Sequence, residues 1–142
     1  MTADRRTPHG EVRYGNGFES EPATMRFVTT GRTSGLPHTV VVRFVFSDGA
    51  YFLIGGGGRS DWFINALASK AAKVRLGDYV QTVACEQFFD TELVRRLFAR
   101  KYGPGIVKEW YSSSKIRSLI LTPTAIPHPE RGSGTDFWAA TN

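Results

Sequence analysis

With one cysteine, Cys85, and three histidines in 142 residues, the chain has little with which to perform covalent or metal chemistry. A lone cysteine excludes an intrachain disulfide, and its place between Ala84 and Glu86 in a strand-like run reads as a small buried hydrophobe rather than a catalytic thiol. The histidines, His9, His38 and His128, are too far apart in sequence for any local metal-binding motif, so no metal site is expected. Also absent are a G-x-S-x-G elbow, a Walker A sequence and a strand-to-helix G-x-G-x-x-G fingerprint. No apolar run approaches the roughly 20 residues of a membrane-spanning helix, and the first residues lack the apolar core of a signal peptide. The expectation is a cytoplasmic protein without a membrane segment.

What remains is ordinary globular composition, 41% hydrophobic and 22% charged, with a net charge of +5. That length and composition suit one domain with its own core. The positive balance admits anionic ligands without identifying one. Arg95, Arg96, Arg100 and Lys101 cluster on one predicted helix, where they read as a solvated face. Phe44, Phe46 and Phe52 fall in apolar runs and read as core, not as stacking platforms along a basic groove, so no nucleic acid is expected as a partner.

Residues 1–24 are polar and punctuated by Gly and Pro, which reads as a loosely ordered arm, and residues 125–142 read as a tail bearing the apolar pair Phe137-Trp138. Between them, residues 25–124 carry strand signals at Met25–Thr30, Thr39–Phe46, Ala50–Ile54, Lys73–Leu76, Tyr79–Glu86 and Lys115–Thr122. Helices are predicted from Asp61 to Lys70, capped by Ser60, and from Asp90 to Tyr102, with a shorter one near Ile106–Tyr111. Strands in hairpins without βαβ alternation predict a mainly β fold, a six-stranded antiparallel barrel with two or three helices.

Two stretches stand out. The connector Thr29–Thr39 holds Gly31 and Gly35, which can take positive φ, together with Ser34, several threonines and Arg32: the makings of a phosphate cradle, or of a plain hairpin loop. The run Gly55-Gly56-Gly57-Gly58 follows a buried strand, and four glycines cost enough backbone entropy that something should require bare backbone there. Thr-Thr-Gly-Arg-x-Ser-Gly-x-Pro, a strand, an Asp-Gly turn, a strand ending in glycines and a helix opening with Trp62 together resemble the deazaflavin-dependent nitroreductase family. These are flavin/deazaflavin oxidoreductases of the split-barrel type, related to pyridoxamine phosphate oxidase.

The resemblance implies a Greek-key split barrel and a borrowed reactivity, in which the protein binds and orients a redox cofactor. It implies that Arg32, Thr33, Ser34 and Gly35 meet the cofactor phosphate, that Thr39 leads into the next strand, that Gly57 and Gly58 admit the ring, and that Trp62 walls it or fills core. Family members usually carry a basic residue where this chain has His38, and often a lysine where it has Gly56. The candidate cofactor residues are therefore these together with His38, Gly55, Gly56 and Arg59; no catalytic residue is assigned. The implied function is an oxidoreductase moving a hydride between coenzyme F420 and a small organic acceptor such as a nitro compound, quinone or enone. Two alternatives stay open: FMN as the cofactor, and a non-catalytic flavin- or deazaflavin-binding protein. A homodimer is expected from the general habit of such barrels.

Overall fold

The computed structural model describes residues 22–56, 60–112 and 115–130. Gly57, Gly58 and Arg59, most of the N-terminal arm, and the Phe137-Trp138 pair lie outside the described residues. The strands are β1 (Thr24–Thr30), β2 (Pro37–Arg43), β3 (Val45–Ser47), β4 (Ala50–Gly55), β5 (Ala71–Leu76), β6 (Tyr79–Phe88), β7 (Arg117–Pro123) and β8 (His128–Pro129). The helices are α1 (Asp61–Ser69), α2 (Thr91–Tyr102) and α3 (Pro104–Trp110). Every pairing is antiparallel. The strands run β2-β1-β5-β6-β7-β4-β3 across one sheet, with β8 beside β6. The sheet is curled into a half-barrel, mainly β with three helices.

Among the described residues the strand count is eight rather than the six expected, for two reasons. His128–Pro129 adds a short strand against Tyr79 and Val80. More important, the long β-branched run Thr39–Phe46 is broken at Phe44, which separates β2 from β3. These are the two outermost strands of the sheet, so one residue joins its opposite ends and the sheet has to curl.

At that corner Phe44 leaves the ladder, and its backbone needs other partners. Helix α2 supplies them: Phe44 N–H donates to Tyr102 Oη at 3.0 Å, and Lys101 Nζ donates to Phe44 O at 2.7 Å and Pro22 O at 2.8 Å. The Lys101 ammonium also lies 3.8 Å from the Phe44 ring centroid. Lys101 is thus not part of the solvated basic face; it fastens the barrel's corner. Lys101→Met keeps the stem but leaves two carbonyls without a charged donor, and is expected to lower stability by about 1.5 to 3 kcal/mol in chemical denaturation.

Two apolar layers flank the sheet. Phe27, Tyr51, Leu53, Phe63, Val83, Leu119 and Leu121 fill the concave side under α1, while Phe52, Ile54, Val94, Phe98 and Val107 pack the opposite face against α2 and α3. Asp90 caps α2 through Leu93 N–H at 3.1 Å, but Ser60 holds the N-cap position of α1 without a side-chain cap bond. Cys85 is buried in the concave core, where desolvation pushes its thiol from an ordinary value near 9 up to about 12. The unfolded chain therefore ionises first, and stability present below pH 9 is lost as pH rises toward 12, with a slope of about 1.4 kcal/mol per pH unit. Denaturation from about pH 8.5 to 10.5 should show that decline in the native protein and a shallower one in Cys85→Ala.

Candidate functional site

Loop 31–36, between β1 and β2, is built by short local bonds. Gly31 N–H donates to Leu36 O at 2.8 Å, Gly35 N–H to Gly31 O at 2.9 Å, and Leu36 N–H to Ser34 Oγ at 3.1 Å. The two glycines serve different needs. Gly35 has φ +74°, the left-handed region, whereas Gly31 does not; a Cβ on Gly31 would come within 2.6 Å of Ser34 Oγ and 2.7 Å of His38 Nε2. Close approach, not a positive φ, makes residue 31 a glycine.

Arg32 crosses to helix α1. Its backbone N–H and its Nη1 both donate to Asn65 Oδ1, at 3.2 and 2.6 Å, and its Nη2 lies 3.4 Å from Asp61 Oδ1. Asn65 is buried and the Asp61 carboxylate is exposed, so the amide fixes the guanidinium while the ion pair contributes little. Two of five guanidinium N–H groups are used by described residues, which leaves donors to meet an anion. Asn65 was not singled out in the sequence; the signal was there, a lone amide in an apolar helix one turn after Asp61.

Loop and helix enclose a cleft of about 590 Å³ against edge strand β2. Arg32, Thr33, Ser34, His38, Thr39 and Trp62 converge on it. A second hollow of about 400 Å³ continues along β2, lined by Val41, Arg43, Gly56, Ser60 and Tyr111, with Trp62 as the residue common to both. Trp62 is half-buried and meets Phe27 and Phe63 edge-on, at 5.8 and 5.9 Å between ring centroids, so it fills core and walls the groove at once. Arg43, the charge in an otherwise apolar strand, lies 3.7 Å over the Trp110 ring.

The remaining glycines separate. Gly35 is exposed at the turn of the loop, and Gly56 borders the second hollow. Gly55 is buried, and a Cβ there would stand 2.7 Å from Phe63 Cδ2, so helix packing alone requires its bareness.

A sequence model of the F420H2-dependent quinone reductase family matches residues 2–107. The chain belongs to this family. Coenzyme F420 is accordingly the cofactor of this quinone reductase family member, and its class is oxidoreductase. No curated protein matches the chain. Solved structures of the same fold include the haem storage protein HutZ from Vibrio cholerae, 14% identical with a TM-score of 0.63 over 75% of this chain and 85% of that one. An F420-H2 dependent reductase, FDR-A, is 23% identical with a TM-score of 0.56 over 70% of this chain and 93% of the other. A conserved hypothetical protein from Mycobacterium tuberculosis is 18% identical with a TM-score of 0.59, over 80% and 87% of the two chains.

The family member's groove fits a phosphate-bearing flat cofactor on two observations. The bare Gly31 lets Ser34 Oγ and His38 Nε2 close to within 2.6 and 2.7 Å of where a Cβ would stand, which brings both polar side chains to the cradle. The polar donors gather at one end, on loop 31–36, while Trp62 and the apolar strand stand next to them. An anion at one end and a ring farther along match that division.

Proposed function

We propose that the protein transfers a hydride from reduced coenzyme F420 to a quinone, with both held along the β2 groove. The observation that carries this reading is the junction of the two hollows at Trp62, one end polar and cationic, the other lined by Val41, Arg43, Gly56 and Tyr111. Arg32, Thr33 and Ser34 bind the phosphate; Asn65 orients Arg32. Trp62 offers a flat wall at the junction, and Gly56 has no side chain to stand in the way of a ring. The bound cofactor supplies the hydride, so no protein nucleophile is needed. A quinone accepts that hydride and one proton from water to become a hydroquinone.

The quinone is favoured over nitro and enone acceptors because the family's own description names it and because Trp62 and Tyr111 in the second hollow offer flat rings to a flat acceptor. Mixing the protein with reduced F420 and a soluble benzoquinone or naphthoquinone should restore the oxidised cofactor's absorbance faster than without protein. Rapid reoxidation by a nitroaromatic or enone, with none by either quinone, would reject the quinone.

A further inference from the structure

Arg43 stands without a counter-ion or a hydrogen bond among the described residues, and it is the one charged residue among those described that line the second hollow. A cation in an otherwise apolar strand needs a reason, and its neighbours hold it in place without neutralising it. Tyr102, whose hydroxyl is tied to the Phe44 backbone, meets Trp110 edge-on at 5.4 Å, and the Arg43 guanidinium lies 3.7 Å over the Trp110 ring. A guanidinium on an aromatic face keeps its N–H fork at the rim, where the donors stay open to an acceptor beside the ring. The barrel's corner thus fixes where this cation stands.

Strand geometry fixes how far it stands from the cofactor cleft. Thr39, Val41 and Arg43 share one face of β2; Thr39 borders the cleft, while Val41 and Arg43 border the hollow. At about 3.3 Å per residue, Arg43 lies about 7 Å beyond Val41 and about 13 Å beyond Thr39 along the strand. Val41 is 62% exposed and offers an apolar floor. A flat ring resting there, beside Trp62 and Tyr111, has Arg43 within reach of a short substituent.

We infer that Arg43 selects an acceptor with an acidic group, so that the substrate class is a quinone carrying a carboxylate on a short arm. The inference rests on the reading of the hollow as the quinone site. The planar fork donates two parallel hydrogen bonds to a carboxylate, whereas a neutral quinone leaves the cation with water alone. The chemistry at the ring is unaltered: the quinone takes up the hydride and one proton, and the carboxylate stays ionised throughout. Arg43 is a specificity determinant that acts on binding of the acceptor.

The test compares a naphthoquinone bearing a carboxyethyl arm with the methyl ester of the same compound, which has the same ring and nearly the same reduction potential. Dissociation constants are measured by tryptophan quenching in the protein loaded with oxidised F420, and kcat and KM by reoxidation of the reduced cofactor. The wild-type protein should bind the acid about fivefold more tightly than the ester at low salt, with the difference in KM rather than kcat, and added salt should shrink it. Arg43→Gln should bring the acid-to-ester ratio close to one, Arg43→Glu should invert it, and Arg43→Lys, which keeps the charge but not the fork, should retain part of it. Equal wild-type binding of acid and ester, or an Arg43→Gln protein in which both weaken alike, overturns the inference and leaves Arg43 as a packing partner of Trp110. Reduction of neither compound rejects the quinone reading; an Arg43-dependent preference for the acid in binding then still supports the anion site, and its absence overturns that site as well.

Discussion

Arg32→Ala is expected to weaken coenzyme F420 by about tenfold to a hundredfold, the loss of one charge-assisted hydrogen bond worth roughly 1.5 to 3 kcal/mol. The fold should survive, because the guanidinium is half-exposed and its bonds to Asn65 and Asp61 tie a surface loop to one helix. Neighbouring variants make the result specific. Asp61→Asn removes a like charge from beside the phosphate and should tighten binding a few-fold at low salt, opposite in sign to Arg32→Ala. Asn65→Leu leaves Arg32 charged but without its anchor, and should weaken binding while the salt dependence persists. Gly31→Ala should weaken binding at any salt, since its Cβ must displace Ser34 and His38 from the cradle. Unchanged affinity in a folded Arg32→Ala protein would remove the cradle from the cofactor site.

The largest loss of stability is expected at Phe63. Its ring is fully buried beneath α1, in contact with Trp62 and against the bare Gly55, and Phe63→Ala should cost about 3 to 5 kcal/mol as a cavity opens in the concave core. Gly55→Ala should cost about 1 to 3 kcal/mol by itself, because a Cβ 2.7 Å from Phe63 Cδ2 drives a rigid ring off its position. Combined, the two should be far from additive. With the ring gone the new methyl enters empty space and the unfolded chain loses freedom, so Gly55→Ala becomes neutral or stabilising in the Phe63→Ala background. Denaturation of the four proteins measures the coupling. Additive losses would mean that residue 55 is a glycine for a reason other than Phe63.

Those two sites differ in how far their make-up is local. Arg32, Thr33, Ser34, His38 and Trp62 could be gathered into one candidate site because loop chemistry and a helix start are local, written in consecutive residues. The glycine run could not be divided in the same way. Gly55 faces a ring eight residues later and Gly56 borders a hollow, a difference set by the fold around them.

The sequence by itself determined the local alternation: where the six main β runs lie, where Asp48-Gly49 and Gly77-Asp78 turn, and which helix faces are apolar. Each of these depends on interactions a few residues apart, so composition and period suffice. Only the tertiary structure decided where the sheet closes and what the polar residues hold. Phe44 has every local preference of a strand interior, yet it becomes the corner because Lys101 and Tyr102, nearly sixty residues later, take over its backbone hydrogen bonds. Arg32 was legible as a cation but not as one fixed by Asn65, and Arg43 as a charge in an apolar strand but not as one lying over Trp110. Such partners are chosen by chain topology and packing, which bring together groups that no local spacing relates.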